Sequence, residues 1–375
     1  MIYLDNAATT RPDKDCLSKA EIFNNECFFN PSALYRGGLN CAKAIKEAKD
    51  AILRFLGVSS SDYEVIFTSC GTESDNSAIF CSVKRGCFVT DKGEHSAVYN
   101  CFAELKNKGN TVQFIDLNKD GSVNVEALYD FVKANKTDFV SIVHVNNETG
   151  AINDVNLISR KLKEINPDLI FHTDGVQSFG KIPFRLSESV DMFSLSAHKI
   201  NGLKGVGALV KKRRIPFSPL ILGGGQESNM RSGTENVFGI KVLVFAAEKK
   251  YANIEDNYKK AKELNLYVRN NINTEIIKVV SSESGSPYIL SLSAVGLKGE
   301  VIMHALEEYG IIIGNGSACS SRNKYSRIMQ ACGYDKPVLE GALRVSFSSE
   351  NTMEEIKAFT KTLNITVNKF KGIMR

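Results

Sequence analysis

The chain has 375 residues, of which 43% are hydrophobic and 24% charged, and a mild net charge of +5 spread along its length. This is the composition of a folded soluble protein, and the length suits two closely associated domains. The densest basic run, Lys211-Lys212-Arg213-Arg214, follows an apolar segment and reads as a solvated loop, so direct nucleic-acid binding is not expected.

The first residues, Met1-Ile2-Tyr3-Leu4-Asp5, show no signal-peptide pattern, and no apolar stretch reaches membrane-spanning length. The nine cysteines are odd in number, form no CxxC pair and mostly sit in apolar segments. That pattern speaks for buried thiols in a reducing cytoplasm rather than a disulfide framework. The five histidines show no ligand spacing with the cysteines, so no metal site is expected.

Along the first two thirds, strand candidates at 64–68, 111–115, 139–145, 169–173, 192–195 and 207–210 alternate with amphipathic stretches such as 39–55 and 123–133. The alternation predicts an α/β fold with a mostly parallel sheet and helices on both faces. A long helical pattern covers 240–271, followed by a smaller C-terminal α/β unit with strands near 288–293 and 343–347. The expected division is a large domain at 13–240 and a small one made of 1–12 and 241–375. Ligands of such folds bind at the carboxyl ends of the strands, which directs attention to the residues just after each one.

Taken in chain order, Gly71-Thr72-Glu73-Ser74 opens a helix after the first strand, where unpaired N–H groups suit either an anion or a simple capping box. His95 follows the apolar segment 87–90 and is read as either a structural residue or one that stacks on a ring and exchanges protons. Asn146-Asn147-Glu148 ends a very apolar strand, and two amides and a carboxylate there are not needed for packing. In His172-Thr173-Asp174-Gly175-Val176-Gln177 the apolar residues behind Asp174 imply depth, and a deep aspartate needs a cationic partner. The pyridinium nitrogen of pyridoxal phosphate is such a partner.

Ser196-Ala197-His198-Lys199 sets a lysine before a glycine-rich turn, where its amine can form a Schiff base with a carbonyl cofactor while polar neighbours hold a phosphate. The 223–236 segment is a glycine-rich loop carrying Arg231 and Thr234. Cys319 sits among glycines and serines, in a loop at about 314–330 expected to be exposed and mobile, with Arg322 and Lys324 nearby to stabilise a thiolate. Arg344 lies within an apolar strand and suits either capture of a substrate carboxylate or a structural ion pair.

These motifs, together with Tyr3-Leu4-Asp5-Asn6-Ala7-Ala8-Thr9-Thr10, Asn30-Pro31-Ser32, Gly225-Gln226-Glu227 and Gly316-Ser317-Ala318-Cys319, closely resemble the cysteine desulfurases across nearly the whole chain. Those are class V aminotransferase-like enzymes of pyridoxal phosphate fold-type I. The resemblance implies that Lys199 binds pyridoxal 5'-phosphate covalently, Asp174 pairs with its ring nitrogen and His95 stacks on the ring and handles protons. It implies that Gln177 and Asn147 surround the phenolic oxygen, with Asn147 also near the substrate carboxylate. Gly71, Thr72, Ser196 and His198 would hold the phosphate, joined by Thr234 from the other subunit of a homodimer. Arg344 would bind the carboxylate of L-cysteine, and Cys319 would take the sulfur as a persulfide for an acceptor protein, either an iron–sulfur scaffold or a tRNA-thiolation enzyme. Gly71 and Gly175 stand where relatives usually have alanine, and Tyr35 where they have histidine. A cystine or cysteine β-lyase, an aminotransferase of the same fold and a non-catalytic sulfur-relay scaffold are the alternatives.

Overall fold

The computed structural model describes residues 1–315 and 325–373, so Cys319 lies outside the described residues. The chain opens with β1 (Ile2–Leu4), α1 (Lys14–Glu26) and α2 (Arg36–Leu56). Helix α2 buries Cys41, Ala44, Ile45, Ala48, Ile52 and Leu56, a three-to-four spacing that gives it one apolar stripe. It stops at Gly57, whose φ of 74° supplies the left-handed C-cap that a side chain would resist.

There follow β2 (Tyr63–Thr68), α3 (Gly71–Ser82), β3 (Cys87–Asp91), α4 (Ser96–Asn107) and β4 (Thr111–Ile115). Next come α5 (Val125–Ala134), β5 (Phe139–Ser141), α6 (Val155–Ile165), β6 (Ile170–Asp174), β7 (Met192–Ser196) and β8 (Gly207–Lys212). Strands β2 to β8 make a seven-stranded sheet in the order β2-β8-β7-β6-β5-β3-β4. Only β8 runs against its neighbours, pairing antiparallel with β2 and β7, so the sheet is mostly parallel, as expected. Every residue of β3, β6 and β7 is buried, because helices cover both faces.

The basic run at 211–214 is a solvated turn only in its second half: Arg213 and Arg214 are exposed, while Lys211 and Lys212 end β8. Lys211 lies directly opposite Glu64 across the β2–β8 ladder and pairs with it at 2.7 Å while only 2% exposed. Arg213 also reaches Glu64, and Lys212 and Arg214 converge on the buried Asp191. The pleat turns Lys211 inward and cross-strand pairing then demands a carboxylate.

The helical pattern at 240–271 is two helices, α7 (Val237–Ala252) and α8 (Ile254–Asn271), separated at Asn253, where φ −129° and ψ 25° interrupt the helix. Helix α7 buries Ile240, Leu243, Val244 and Ala247 in the same cluster as the large sheet, so that core continues past residue 240. The remaining elements are β9 (Ile277–Val279), β10 (Ile289–Ala294), α9 (Gly299–Glu307), β11 (Ile311–Ile313), α10 (Arg327–Ala331), α11 (Lys336–Glu340), β12 (Ala342–Ser346) and α12 (Met353–Ile373). A second core joins β10, β12, α8, α9 and α12, and Leu4 of β1 belongs to it through parallel pairing of β1 with β11. The segment after β1 runs between the two cores, where Ala7 packs with Val145, Ile182 and Ile289.

Candidate active site

The strand ends on the carboxyl side of the large sheet surround a cavity of about 250 Å³. After β2 the chain turns at Cys70, which provides no side-chain cap, so the first N–H groups of α3 remain available at the cavity beside Gly71 and Thr72. A Cβ on Gly71 would lie 2.9 Å from Val176 Cγ2, which accounts for glycine there. The capping reading of this turn holds in part, since Glu73 reaches back to the Ser69 N–H at 2.8 Å.

After β3 comes His95, the N-cap of α4. Its Nδ1 accepts the Ala97 N–H at 3.1 Å, which places the ring proton on Nε2. Burial pushes His95 below the ordinary imidazole range, an effect that Asp174 opposes, and the ring is neutral. After β5, Asn146 ties the turn together by accepting from the Glu148 and Thr149 N–H groups, while Asn147 faces the cavity.

After β6, Asp174 accepts the Val176 N–H at 2.9 Å, and burial pushes its carboxyl up. Gln177 donates to Ala7 O and accepts from the buried Lys181, both at 2.8 Å. After β7, Ser196 precedes a 3-10 turn at 197–199 that turns His198 and Lys199 to the cavity. Lys199 Nζ donates to Ala7 O at 2.7 Å and Ala8 O at 2.8 Å. His198 shares a 3.1 Å hydrogen bond with Thr9, and burial, helped by Lys199, pushes it down to about 4.

Arg344 reaches the same cavity from β12. It donates to Asn147 O at 3.0 Å and to Asp5 at 2.8 Å, so the structural ion pair considered for it is present. Four buried polar atoms on cavity residues have no hydrogen-bond partner among the described residues: Ser196 Oγ, Asn147 Oδ1, Arg344 Nε and Asp75 Oδ1, the last lying 3.7 Å from His172 Nε2. Each is costly unless something polar meets it, so the cavity is built for a polar occupant.

Ten of the expected site residues thus meet around one space: Gly71, Thr72, His95, Asn147, Asp174, Gln177, Ser196, His198, Lys199 and Arg344. Thr234 does not join them within one chain; it lies in a separate hollow with Phe28, Phe29 and Asn30. The sequence reading missed Asp75, the Ala7 and Ala8 carbonyls, Asp5 and Lys181. Asp75 could have been found, since it lies one helical turn after Thr72. Backbone carbonyls leave no such signal. His172 does not line the cavity; it is fully buried behind it, bonded to Ser141 and Ser194 at 2.9 Å each.

Chemically, the set offers an anion site at α3, a carboxylate seeking a cation, an amine, and a guanidinium with an open edge. The aminotransferase class-V family model matches residues 2–359. A cysteine desulfurase from Nostoc sp. is 34% identical over 382 residues, covering 100% of this chain and 94% of its own. The cysteine desulfurase NifS of Azotobacter vinelandii is also 34% identical, over 99% of this chain and 94% of its own. Among solved structures, a NifS-like protein superposes with a TM-score of 0.91 at 32% identity, covering 98% of this chain and 99% of that one. A structure described as SspA in complex with cysteine gives 0.80 at 27% identity, covering 94% and 100%. The chain belongs to the aminotransferase class-V family and, within it, to the cysteine desulfurases.

Proposed function

We propose that this protein uses pyridoxal 5'-phosphate to remove sulfur from L-cysteine, forming L-alanine and a persulfide on Cys319. The observation that carries the reading is the convergence of Lys199, Asp174, His95 and Arg344 on one cavity, where Ser196 Oγ, Asn147 Oδ1 and Arg344 Nε have no hydrogen-bond partner among the described residues. These residues fit the cofactor. Ser196 Oγ and the uncapped start of α3 suit its phosphate, and Asp174 makes no salt bridge among the described residues and so has room for a ring cation.

When bound, the cofactor supplies a carbonyl that condenses with amines and a ring that stores the electron pair released at the substrate α-carbon. Lys199 would hold that carbonyl and, once displaced, take the α-proton on Nζ. Asp174 would keep the ring nitrogen protonated. His95 would lie against the ring and carry a proton to or from the substrate thiol. Arg344 would orient the substrate carboxylate through its open Nε edge, beside Asn147. The Cys319 thiolate then attacks the substrate sulfur: an S–S bond forms, the Cβ–S bond breaks, and the atoms balance as L-cysteine plus thiol giving L-alanine plus persulfide.

The persulfide is passed to an acceptor protein, an iron–sulfur scaffold or a tRNA-thiolation enzyme, in the cytoplasm. A homodimer is part of this reading. Its support is that Thr234 lies outside its own chain's cavity, in a hollow flanked by the exposed Phe28 and close in sequence to the exposed Leu34 and Tyr35. Among the described residues no helix is long and apolar enough to cross a membrane.

The deciding experiment measures alanine formed from L-cysteine with a thiol reductant, for the wild type and Cys319→Ala. Alanine from the wild type and almost none from the variant is expected. Equal rates would sink the persulfide step, and pyruvate with ammonia in place of alanine would make the protein a lyase.

A further inference from the structure

Gln177 and Lys181 lie four residues apart in the turn that follows β6. Phe179 N donates there to Gly175 O and Ile182 N to Ser178 O, so the turn is helical and brings the two side chains to one face. The Gln177 amide is held from two sides. Its Nε2 donates to Ala7 O at 2.8 Å, and its Oε1 accepts from Lys181 Nζ at 2.8 Å. A carbonyl oxygen can only accept, so the amide end facing Ala7 has to be nitrogen, and the end facing the Lys181 amine is then oxygen. Both neighbours demand the same orientation. Among the described residues Nε2 has Ala7 O as its acceptor, which leaves its second N–H for the cavity that Gln177 lines.

Lys181 itself is buried and makes no salt bridge among the described residues. Burial, with Lys199, Lys250 and Arg344 adding to it, pushes its ammonium well below the ordinary lysine range. A buried amine among basic groups does not help the fold, since an apolar chain of similar length would fill the same space at lower cost. What Lys181 does have is its bond to Gln177. On the other side of that amide, Ala7 O also accepts from Lys199 Nζ at 2.7 Å. The contacts therefore run from Lys181 through Gln177 and Ala7 to Lys199, from a residue behind the cavity wall to the amine inside it.

We propose that Lys181 is a positioning residue for the cofactor: it holds the Gln177 amide with an N–H turned into the cavity beside Lys199, so that the wall offers a donor there and not an acceptor. The proposal rests on pyridoxal 5'-phosphate being the occupant, whose phosphate and phenolic oxygens accept hydrogen bonds. Without Lys181, Gln177 Oε1 would be buried with no donor, and the amide would gain by turning that oxygen elsewhere and its Nε2 with it. A neutral hydrogen bond lost in this way corresponds to about a 3- to 10-fold change in affinity.

The test is a titration of the full-length protein, stripped of cofactor, with pyridoxal 5'-phosphate, followed by absorption. It compares wild type, Lys181→Met, Gln177→Met and the double variant, and thermal unfolding of the same proteins without cofactor reports stability. Lys181→Met should weaken cofactor binding about 3- to 10-fold, yet unfold at the wild-type temperature or above, because it removes a buried amine. Adding Lys181→Met to Gln177→Met should weaken binding no further, since Lys181 acts through that amide. An unchanged Kd in Lys181→Met would overturn the proposal. So would a weakening of equal size in both backgrounds, which would mean that Lys181 acts by its charge or by general packing. If Lys181→Met does not fold, Lys181→Leu takes its place in the same cycle and is judged in the same way. A wild type that binds no cofactor would overturn this proposal together with the functional reading, whereas variants that bind it as the wild type does would overturn the proposal alone.

Discussion

Glu94 is fully buried beside the cavity wall and has no basic partner among the described residues. Its Oε1 accepts from Ser141 at 3.1 Å and its Oε2 has no hydrogen-bond partner among the described residues. Burial pushes its carboxyl well above the ordinary range, and Asp91, Asp174 and Asp75 push it further. In the folded protein this acid keeps its proton where the unfolded chain has lost it. The stability it contributes is therefore complete below the unfolded value of 4.5 and is lost as pH rises through that value toward the folded one. Glu94→Gln retains an oxygen for Ser141 and removes the titration. Thermal unfolding of the cofactor-free protein should fall less between about pH 5 and 8 in this variant than in the wild type. Parallel curves would mean that Glu94 is ionised in the fold. The same residues show what a sequence can disclose at this scale. Asp174 is legible because an apolar run leads straight to it, and its depth follows. Asp75 is marked only by its helical spacing from Thr72, because α3 buries Ser74, Asp75 and Ser77 together, and a polar buried face defeats any rule built on apolar stripes.

At the scale of elements, six of the seven strands of the large sheet were legible because both faces are covered and their apolar runs are bounded by turns, whereas β3 (Cys87–Asp91) was read only as an apolar segment. The strand expected at 139–145 ends in the ladder at Ser141, after which the chain bends toward Asn146 and Asn153, whose side chains bond the bend itself. The break at Asn253 was not legible, since no glycine or proline marks it. Packing between neighbouring strands explains the glycine at 175. Gly175 follows β6, and a Cβ there would lie 1.9 Å from Cζ of Phe193 on β7, a ring that is wholly buried. The space an alanine methyl would take is occupied here by the phenyl ring. Gly175→Ala should therefore destabilise by about 1–3 kcal/mol through overpacking. Phe193→Leu in the same chain should recover part of that loss, whereas Phe193→Leu alone should destabilise by leaving a cavity. Urea unfolding of the single and double variants checks this, and strictly additive effects would show that the two sites do not compete for space.

At the scale of the whole molecule, the site depends on contacts between the two ends of the chain. Asp5, just after β1, pairs with Arg344 of β12 across 339 positions, and Asn6 and Ala7 both bond Ser346. Ala7 then presents its carbonyl to both Gln177 and Lys199. Pairing at such separation cannot be read from local pattern, which is why the N-terminal segment carried a family resemblance in the sequence but no stated role. Asp5 could either compete with a substrate carboxylate for Arg344 or aim Arg344 at it. The geometry favours aiming: Nη1 is held by Asn147 O, Nη2 by Asp5, and the buried Nε has no hydrogen-bond partner among the described residues. A hydrogen bond between charged groups is worth about 1.5–3 kcal/mol, equivalent to roughly a tenfold to hundredfold change in binding. Asp5→Asn should accordingly raise KM for L-cysteine by about tenfold and leave kcat within about threefold, because the reacting atoms are untouched. A lower KM would instead identify Asp5 as a competitor, and a matching fall in kcat would mean that the Ala7 and Ala8 carbonyls had moved away from Lys199.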